Sequence, residues 1–307
     1  MTKTQAWIKA FRLRTLPLSF SNIILGTALV SLDFNINYLI FGLILTTTLL
    51  LQILSNLAND FGDAKKGTDN DNRVGPERAV QSGLITLEQM KMGIIISSVL
   101  AFISGLGLLY VTFNGEFNTY FILFLLLGLA AIAAAIKYTV GKKAYGYSGM
   151  GDLFVFIFFG IIGVLGTYYL LTQYFEWIMV LPAITMGALS TAVLNLNNMR
   201  DIDNDKTMNK ITLVVTMGSE NAKKYHYSLF FWGYVSYLTF CVLKFDLKTD
   251  FLVLLPLLFI GSIHIFHLRK VKSIKSPKDF DSELKKIALS ALLFAVLCWV
   301  SFGFCNF

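Results

Sequence analysis

Asn56-Leu57-Ala58-Asn59-Asp60-Phe61-Gly62-Asp63-Ala64-Lys65-Lys66-Gly67-Thr68-Asp69-Asn70-Asp71 crowds carboxylates, amides and lysines directly behind an apolar run, residues 34–59, that holds no Asp, Glu, Lys or Arg. The run is long enough to cross a bilayer as a helix. Charge is costly inside lipid, so the cluster marks the point where that helix meets water. A second cluster, Asn197-Asn198-Met199-Arg200-Asp201-Ile202-Asp203-Asn204-Asp205-Lys206, follows another charge-free run, residues 177–199. The spacing predicts that the two clusters face each other.

Working outward, the chain is 55% hydrophobic and 15% charged, with mean hydropathy +0.64, too apolar for a soluble domain of 307 residues. Uncharged stretches fall at 15–32, 34–59, 92–115, 117–136, 153–175, 177–199, 225–243, 251–268 and 287–307. Each reaches the length of a spanning helix, and none alternates as a barrel strand would. The expected class is therefore an all-α integral membrane protein with nine transmembrane helices in one domain, 1–307. Two four-helix units, 15–136 and 153–268, each with an acidic cluster behind the second helix, form a pseudo-repeat, and 287–307 is a ninth helix.

The net charge of +7 does not point to nucleic acid, because of where the basic residues sit. With nine alternating spans, only Lys244 and Lys248 of the 26 basic residues fall on one side. That segregation predicts a cytoplasmic N-terminus, an external C-terminus, and both acidic clusters on the cytoplasmic face of the cell (plasma or inner) membrane. Trp7, Ile8 and Phe11 among Lys9, Arg12 and Arg14 suit a short helix lying on the bilayer surface. Cys241, Cys298 and Cys305 read as packing residues, as do His264 and His267, since no carboxylate sits in their span. Glycines such as Gly105, Gly160, Gly163 and Gly166 read first as close helix contacts.

If the helices continue past the membrane edge, Asp60 and Asp63, three apart, and Asp201 and Asp205, four apart, each project from one face. Carboxylates so gathered repel unless cations share the site, and hard oxygen donors favour Mg²⁺. Mg²⁺ is held by one or two carboxylates, its waters and substrate phosphates, which points to a diphosphate bridged to both clusters. Arg73, Arg78, Lys143, Arg200 and Lys210 are the candidates to neutralise it, and Asn59 and Asn198 to orient carboxylates or water. A transporter is the competing class, but its ionisable residues would be expected near mid-membrane rather than at one face.

The NDxxD of residues 59–63, the NNxRDxDND of residues 197–205 and nine apolar stretches together resemble the UbiA superfamily of intramembrane aromatic prenyltransferases, over nearly the whole chain. Residues 65–69, 73–78, 147–160 and 210–214 are similar to the branch that prenylates 1,4-dihydroxy-2-naphthoate in menaquinone synthesis. The resemblance implies a polyprenyl diphosphate donor, Mg²⁺ on Asp60, Asp63, Asp201 and Asp205, and acceptor alternatives of 4-hydroxybenzoate, homogentisate or haem. Gly67 stands where a third acid is usual, so Asp69 takes that place as a metal ligand. Relatives often carry proline near Lys142 and Lys143, and this chain has none.

Overall fold

The computed structural model describes residues 2–70 and 74–305. Those residues are helical throughout, apart from loops and one isolated parallel bridge between Ser148 and Ile211. A surface helix, α1 (Lys3–Phe11), starts with a capping box between Thr2 and Gln5 and ends at Arg12 in the left-handed region, φ 49°. It is followed by α2 (Leu16–Val30), which carries Pro17 in its first turn, where no helical hydrogen bond is lost. Next comes α3 (Tyr38–Lys65), capped by the side chain of Asn37. At 28 residues it is about 42 Å long against a hydrocarbon core of about 30 Å. The excess length carries the first acidic cluster out of the apolar slab as part of the helix.

The remaining elements are α4 (Leu87–Thr112), α5 (Thr119–Lys137), α6 (Gly151–Thr172), α7 (Trp177–Arg200), the short α8 (Ile202–Thr207), α9 (Leu213–Lys244), α10 (Phe251–Ser273) and α11 (Pro277–Cys305). Each of the uncharged stretches expected to span has most of its described residues in one of the helices α2–α11. Among the described residues, seven helices are long and apolar enough to cross a membrane, or eight if the bent pair α1 and α2 counts as one span. The two expected spans outside the seven have physical reasons to be. Helix α2 has only 15 residues, and α9 carries His226 and four tyrosines, 225, 227, 234 and 237, which lower its hydropathy.

Helix α7 is the axis of the bundle, with 61% of its apolar window buried, and it packs against α6, α9 and α11. Lipid tails are as apolar as leucine, so such helices associate by close packing and buried hydrogen bonds. Both are present. A Cβ on Gly160 would stand 2.5 Å from the Cα of Gly187 and 2.7 Å from the carbonyl oxygen of Ala183, so α6 and α7 cross with their backbones in contact. Through Phe156–Leu165, α6 is wound as a π-helix, a form found often at functional sites.

The buried histidines supply the bonds on the other side of α7. His226 meets Asn195 of α7 at 3.1 Å and His267 of α10 at 2.9 Å, and His267 meets Glu283 of α11 at 2.7 Å. The packing role expected for His267 holds, with its carboxylate partner arriving from a neighbouring helix. The three cysteines are free thiols. At the end opposite the acidic clusters, Lys244 joins Asp33 and Glu176 at 3.0 and 3.2 Å and ties three helix connections together.

Candidate functional site

A cavity of about 470 Å³ runs between α2, α3, α4, α5, α6, α7 and α11. One end is polar and one apolar. The polar end is bordered by Asn59 and Asp63 from α3, by Asp201 at the junction of α7 and α8, by Asp205 of α8 and by Lys210 of the turn after it. The two clusters therefore meet across one space. Asn204 donates to the carbonyl of Thr68 at 2.9 Å, which fastens the loops behind them. Lys210 stands 3.8 Å from Asp63 Oδ2 and 3.6 Å from Asp205 Oδ1, between the clusters.

The two carboxylate pairs are built differently. Asp60 and Asp63 share one continuous helix. Helix α7 stops at Arg200 and α8 starts at Ile202, with Asp201 at the junction, so Asp205 reaches the cavity from a new turn whose amide hydrogen-bonds back to the Asp201 carbonyl at 2.8 Å.

Asp60 looks the other way. Its carboxylate is bonded to Arg12 and stands 3.6 Å from Arg78, at the edge of a smaller cleft that also includes Lys9 and Glu77. Arg78 also lies 3.7 Å from Asp69. Arg12 and Arg78 border both spaces, so they form the wall between Asp60 and the main cavity. Arg200 is 2% exposed and bonds Asp201 at 2.9 and 2.7 Å, Asp281 of α11 at 2.6 Å and Asn197 at 2.9 Å. It clamps α7 to α11 and holds Asp201. Lys143 is exposed and borders neither space; Asn198 is buried but does not border the cavity. Arg73 lies outside the described residues.

Several site residues were not singled out from sequence. Arg12 reads there as an interfacial charge, and Asp281 and Lys285 carry no signal in the sequence pattern; all three border the cavity. Gln52 and Ser19 do too, hydrogen-bonded to each other at 2.5 Å. Farther along the wall, Tyr138, Tyr145, Phe154 and Phe158 form a chain of ring contacts. Centroids are 5.2 Å apart for Tyr138–Tyr145, 4.0 Å for Tyr145–Phe154 and 6.2 Å for Phe154–Phe158. Ring faces of this kind attract a cation. Beyond them the lining is mostly leucine, isoleucine and alanine from α3, α4 and α5, with Thr47, Thr48, Phe102 and Phe124 among them.

The electrostatics follow from crowding in a buried place. Burial pushes Asp205 up to about 6; Lys210 opposes this, and Asp201 and Asp63 add to it. Burial alone would lower Lys210, but Asp63 and Asp205 outweigh it and hold the ammonium above its usual range. Lys66 is lowered by burial despite Asp63 beside it.

The donor set suits a hard cation. Asp205 Oδ2 and Asn59 Oδ1 are buried oxygens without a hydrogen-bond partner, and both residues border the cavity with Asp63 and Asp201. Among the described residues no three acidic, His or Cys side chains stand together as a finished cage. This matches the habit of Mg²⁺, which takes few protein ligands and completes its shell with water and phosphate.

Comparison with known proteins identifies the setting. The profile of the UbiA prenyltransferase family matches residues 19–289. The 1,4-dihydroxy-2-naphthoate octaprenyltransferase of Escherichia coli (strain K12) is 41% identical over 303 residues, 98% of this chain and 97% of that protein. The enzyme of the same name from Haemophilus influenzae is 39% identical, covering 96% of this chain and 94% of its own. Among solved structures, a UbiA homologue from Archaeoglobus fulgidus bound to DMAPP and Mg²⁺ superposes with TM-score 0.67 at 14% identity, over 97% of this chain and 99% of that one. At that identity the likeness is one of fold.

Proposed function

The chain belongs to the UbiA prenyltransferase family, and from that premise we propose that it transfers a polyprenyl group from a polyprenyl diphosphate to 1,4-dihydroxy-2-naphthoate with loss of CO₂, giving the prenylated dihydroxynaphthalene, the reduced (quinol) form of demethylmenaquinone. The observation that carries this reading is the single cavity that joins both acidic clusters to an aromatic and then aliphatic wall. A prenyl diphosphate has the same order of chemistry along its length: a polyanion, a reacting allylic carbon and a hydrocarbon tail. The two near-full-length relatives carry the acceptor's name. The proposal includes nine spans, with the two helices outside the apolar seven completing the count, and a cytoplasmic polar mouth, a reading supported by the distribution of basic residues.

The allylic C–O bond breaks with its electron pair leaving on the diphosphate oxygen. Lys210, Arg78 and Arg12 border the space where that charge would collect and stabilise it as it develops. In this reading Asp63, Asp201 and Asp205, with Asn59, would hold Mg²⁺, which when bound would supply Lewis-acid stabilisation of the leaving group. Asp60 and Asp69 lie behind Arg12 and Arg78, and their service as ligands requires those arginines to turn toward the diphosphate. The rings of Tyr138, Tyr145, Phe154 and Phe158 face the electron-poor carbon, and the aliphatic wall excludes water that would trap it as an alcohol. A carbon of the naphthalene ring forms the new bond, and its carboxylate leaves as CO₂ to restore the aromatic ring.

One assay tests the reading. Purified protein is given a labelled prenyl diphosphate with dihydroxynaphthoate, hydroxybenzoate, homogentisate or haem, with and without Mg²⁺. Transfer to dihydroxynaphthoate and release of pyrophosphate, both lost on chelation, are the expected results; transfer to hydroxybenzoate alone would overturn the acceptor assignment.

A pH dependence also follows. Because the folded-state pKa of Asp205 is raised from 3.8 to about 6, its charged form is disfavoured in the folded protein, and protonation between about 6 and 4 favours folding while removing a metal ligand. The Mg²⁺ concentration needed for half-maximal pyrophosphate binding should rise by up to about tenfold per pH unit below about 6. Mg²⁺ titrations at stepped pH check this, and Asp205→Asn should flatten the profile.

A further inference from the structure

Tyr147 belongs to neither acidic cluster, yet it touches Asp63, Lys66 and Thr68 of the first and stands beside Lys210, which lies between the two. Its backbone is fixed on either side. The amide of Gly146 donates to the Tyr138 carbonyl at 2.9 Å, and a Cβ on Gly146 would stand 2.6 Å from that oxygen, so the turn is seated hard against the end of α5. On the other side Ser148 bridges to Ile211, the residue after Lys210. Held this way, the phenol donates to Asp63 Oδ1 at 2.7 Å and accepts from the hydroxyl of Thr68 at 2.6 Å. The ring carries the ammonium of Lys66 at 3.6 Å from its centroid, and that of Lys210 at 5.4 Å.

The distances around Lys210 show what this arrangement does. At 3.8 Å from Asp63 and 3.6 Å from Asp205, the ammonium stops short of a charge-assisted hydrogen bond to either, which would close to about 2.7–2.9 Å. A lysine among carboxylates would ordinarily swing onto one of them and close the site. Here Asp63 is tied through Oδ1 to the phenol, and the ring offers the lysines a second seat. The space left between cation and carboxylates is where a diphosphate would enter.

We propose that Tyr147 is a positioning residue for the diphosphate end of the cavity: its hydroxyl sets the orientation of Asp63, and its ring holds Lys66 and Lys210 off the carboxylates. This rests on the prenyl-diphosphate reading above. It is tested with full-length protein in detergent by comparing Tyr147→Phe, which removes only the hydroxyl, with Tyr147→Leu, which also removes the ring face. Three measurements are made: calorimetric binding of inorganic pyrophosphate with Mg²⁺, the KM values for donor and acceptor, and the unfolding midpoint.

In Tyr147→Phe, pyrophosphate binding should weaken and the donor KM rise roughly ten- to a hundredfold, the range for losing a hydrogen bond to a charged group. The acceptor KM should stay within about twofold and the unfolding midpoint should be unchanged. Tyr147→Leu should lose more. Wild-type behaviour of Tyr147→Phe would overturn the inference, and so would equal changes in both KM values accompanied by a lower midpoint, which would mean a structural role alone. Pyrophosphate binding needs no turnover. Wild-type protein that binds pyrophosphate but releases none from a prenyl diphosphate would therefore refute the proposed function without touching this inference.

Discussion

Asp63→Asn should lower prenyl transfer by roughly a thousandfold, about 4 kcal/mol of transition-state stabilisation, with the protein still folded in detergent. The asparagine keeps the size of the side chain and an oxygen that can accept from Tyr147, so the turn that carries the phenol has no reason to move. What it lacks is the negative charge facing Lys210 and Asp205 across the cavity. Asp201→Asn should be as inactive but less stable. Arg200 would keep Asp281 and Asn197 while losing a two-point bond to its nearest carboxylate, and an under-compensated buried guanidinium is costly. Pyrophosphate release and unfolding midpoints for the two variants give the comparison. Full activity in Asp63→Asn would sink the metal-site reading.

Gly62→Ala, a single methyl between Asp60 and Asp63, should be nearly as damaging. A Cβ there would stand 2.6 Å from Thr139 Cβ and 2.8 Å from the Thr139 carbonyl carbon. Neither is the loose end of a flexible side chain, so backbone must give. The Thr139 hydroxyl is bonded to the Ala58 carbonyl at 2.8 Å, which pins the end of α5 to α3 one turn from the acids. Overpacking of this kind costs about 1–3 kcal/mol. A displacement of about 1 Å at the neighbouring carboxylates can cost roughly a hundredfold in turnover. Combining the change with Thr139→Gly, which removes the side-chain part of the clash, should recover some of both losses; wild-type stability in Gly62→Ala would contradict the packing argument.

These two residues stand one apart in the chain and were unequally legible. Asp63 could be read as functional because a charged side chain at the edge of an apolar run is conspicuous in one dimension. Gly62 could not, because what it avoids is Thr139, 77 positions away. Arg12 has the same difficulty: beside Trp7 and Ile8 it reads as an interfacial charge, and only the bend between α1 and α2 brings it to Asp60. Arg200 was expected at the diphosphate; it borders the cavity, and Asp281, 81 positions on, takes part of its fork, a partner that the sequence pattern did not reveal. Lys143 was expected there too, and it is exposed and borders neither space.

By itself, the sequence determined the helical membrane class, the apolar stretches, and the pairing of two acid-rich helix ends. These depend on the cost of placing charge or an unsatisfied backbone in lipid, which each segment meets on its own. Tertiary structure alone decided that Asp63, Asp201 and Asp205 share a cavity while Asp60 is turned to Arg12 and Arg78. It also decided that Lys210 stands between the clusters and that the Tyr147 hydroxyl bonds Asp63. A carboxylate's direction and its counter-charge are set over distances of a few ångströms by residues far off in the chain, where the pattern of apolar and charged positions carries no information.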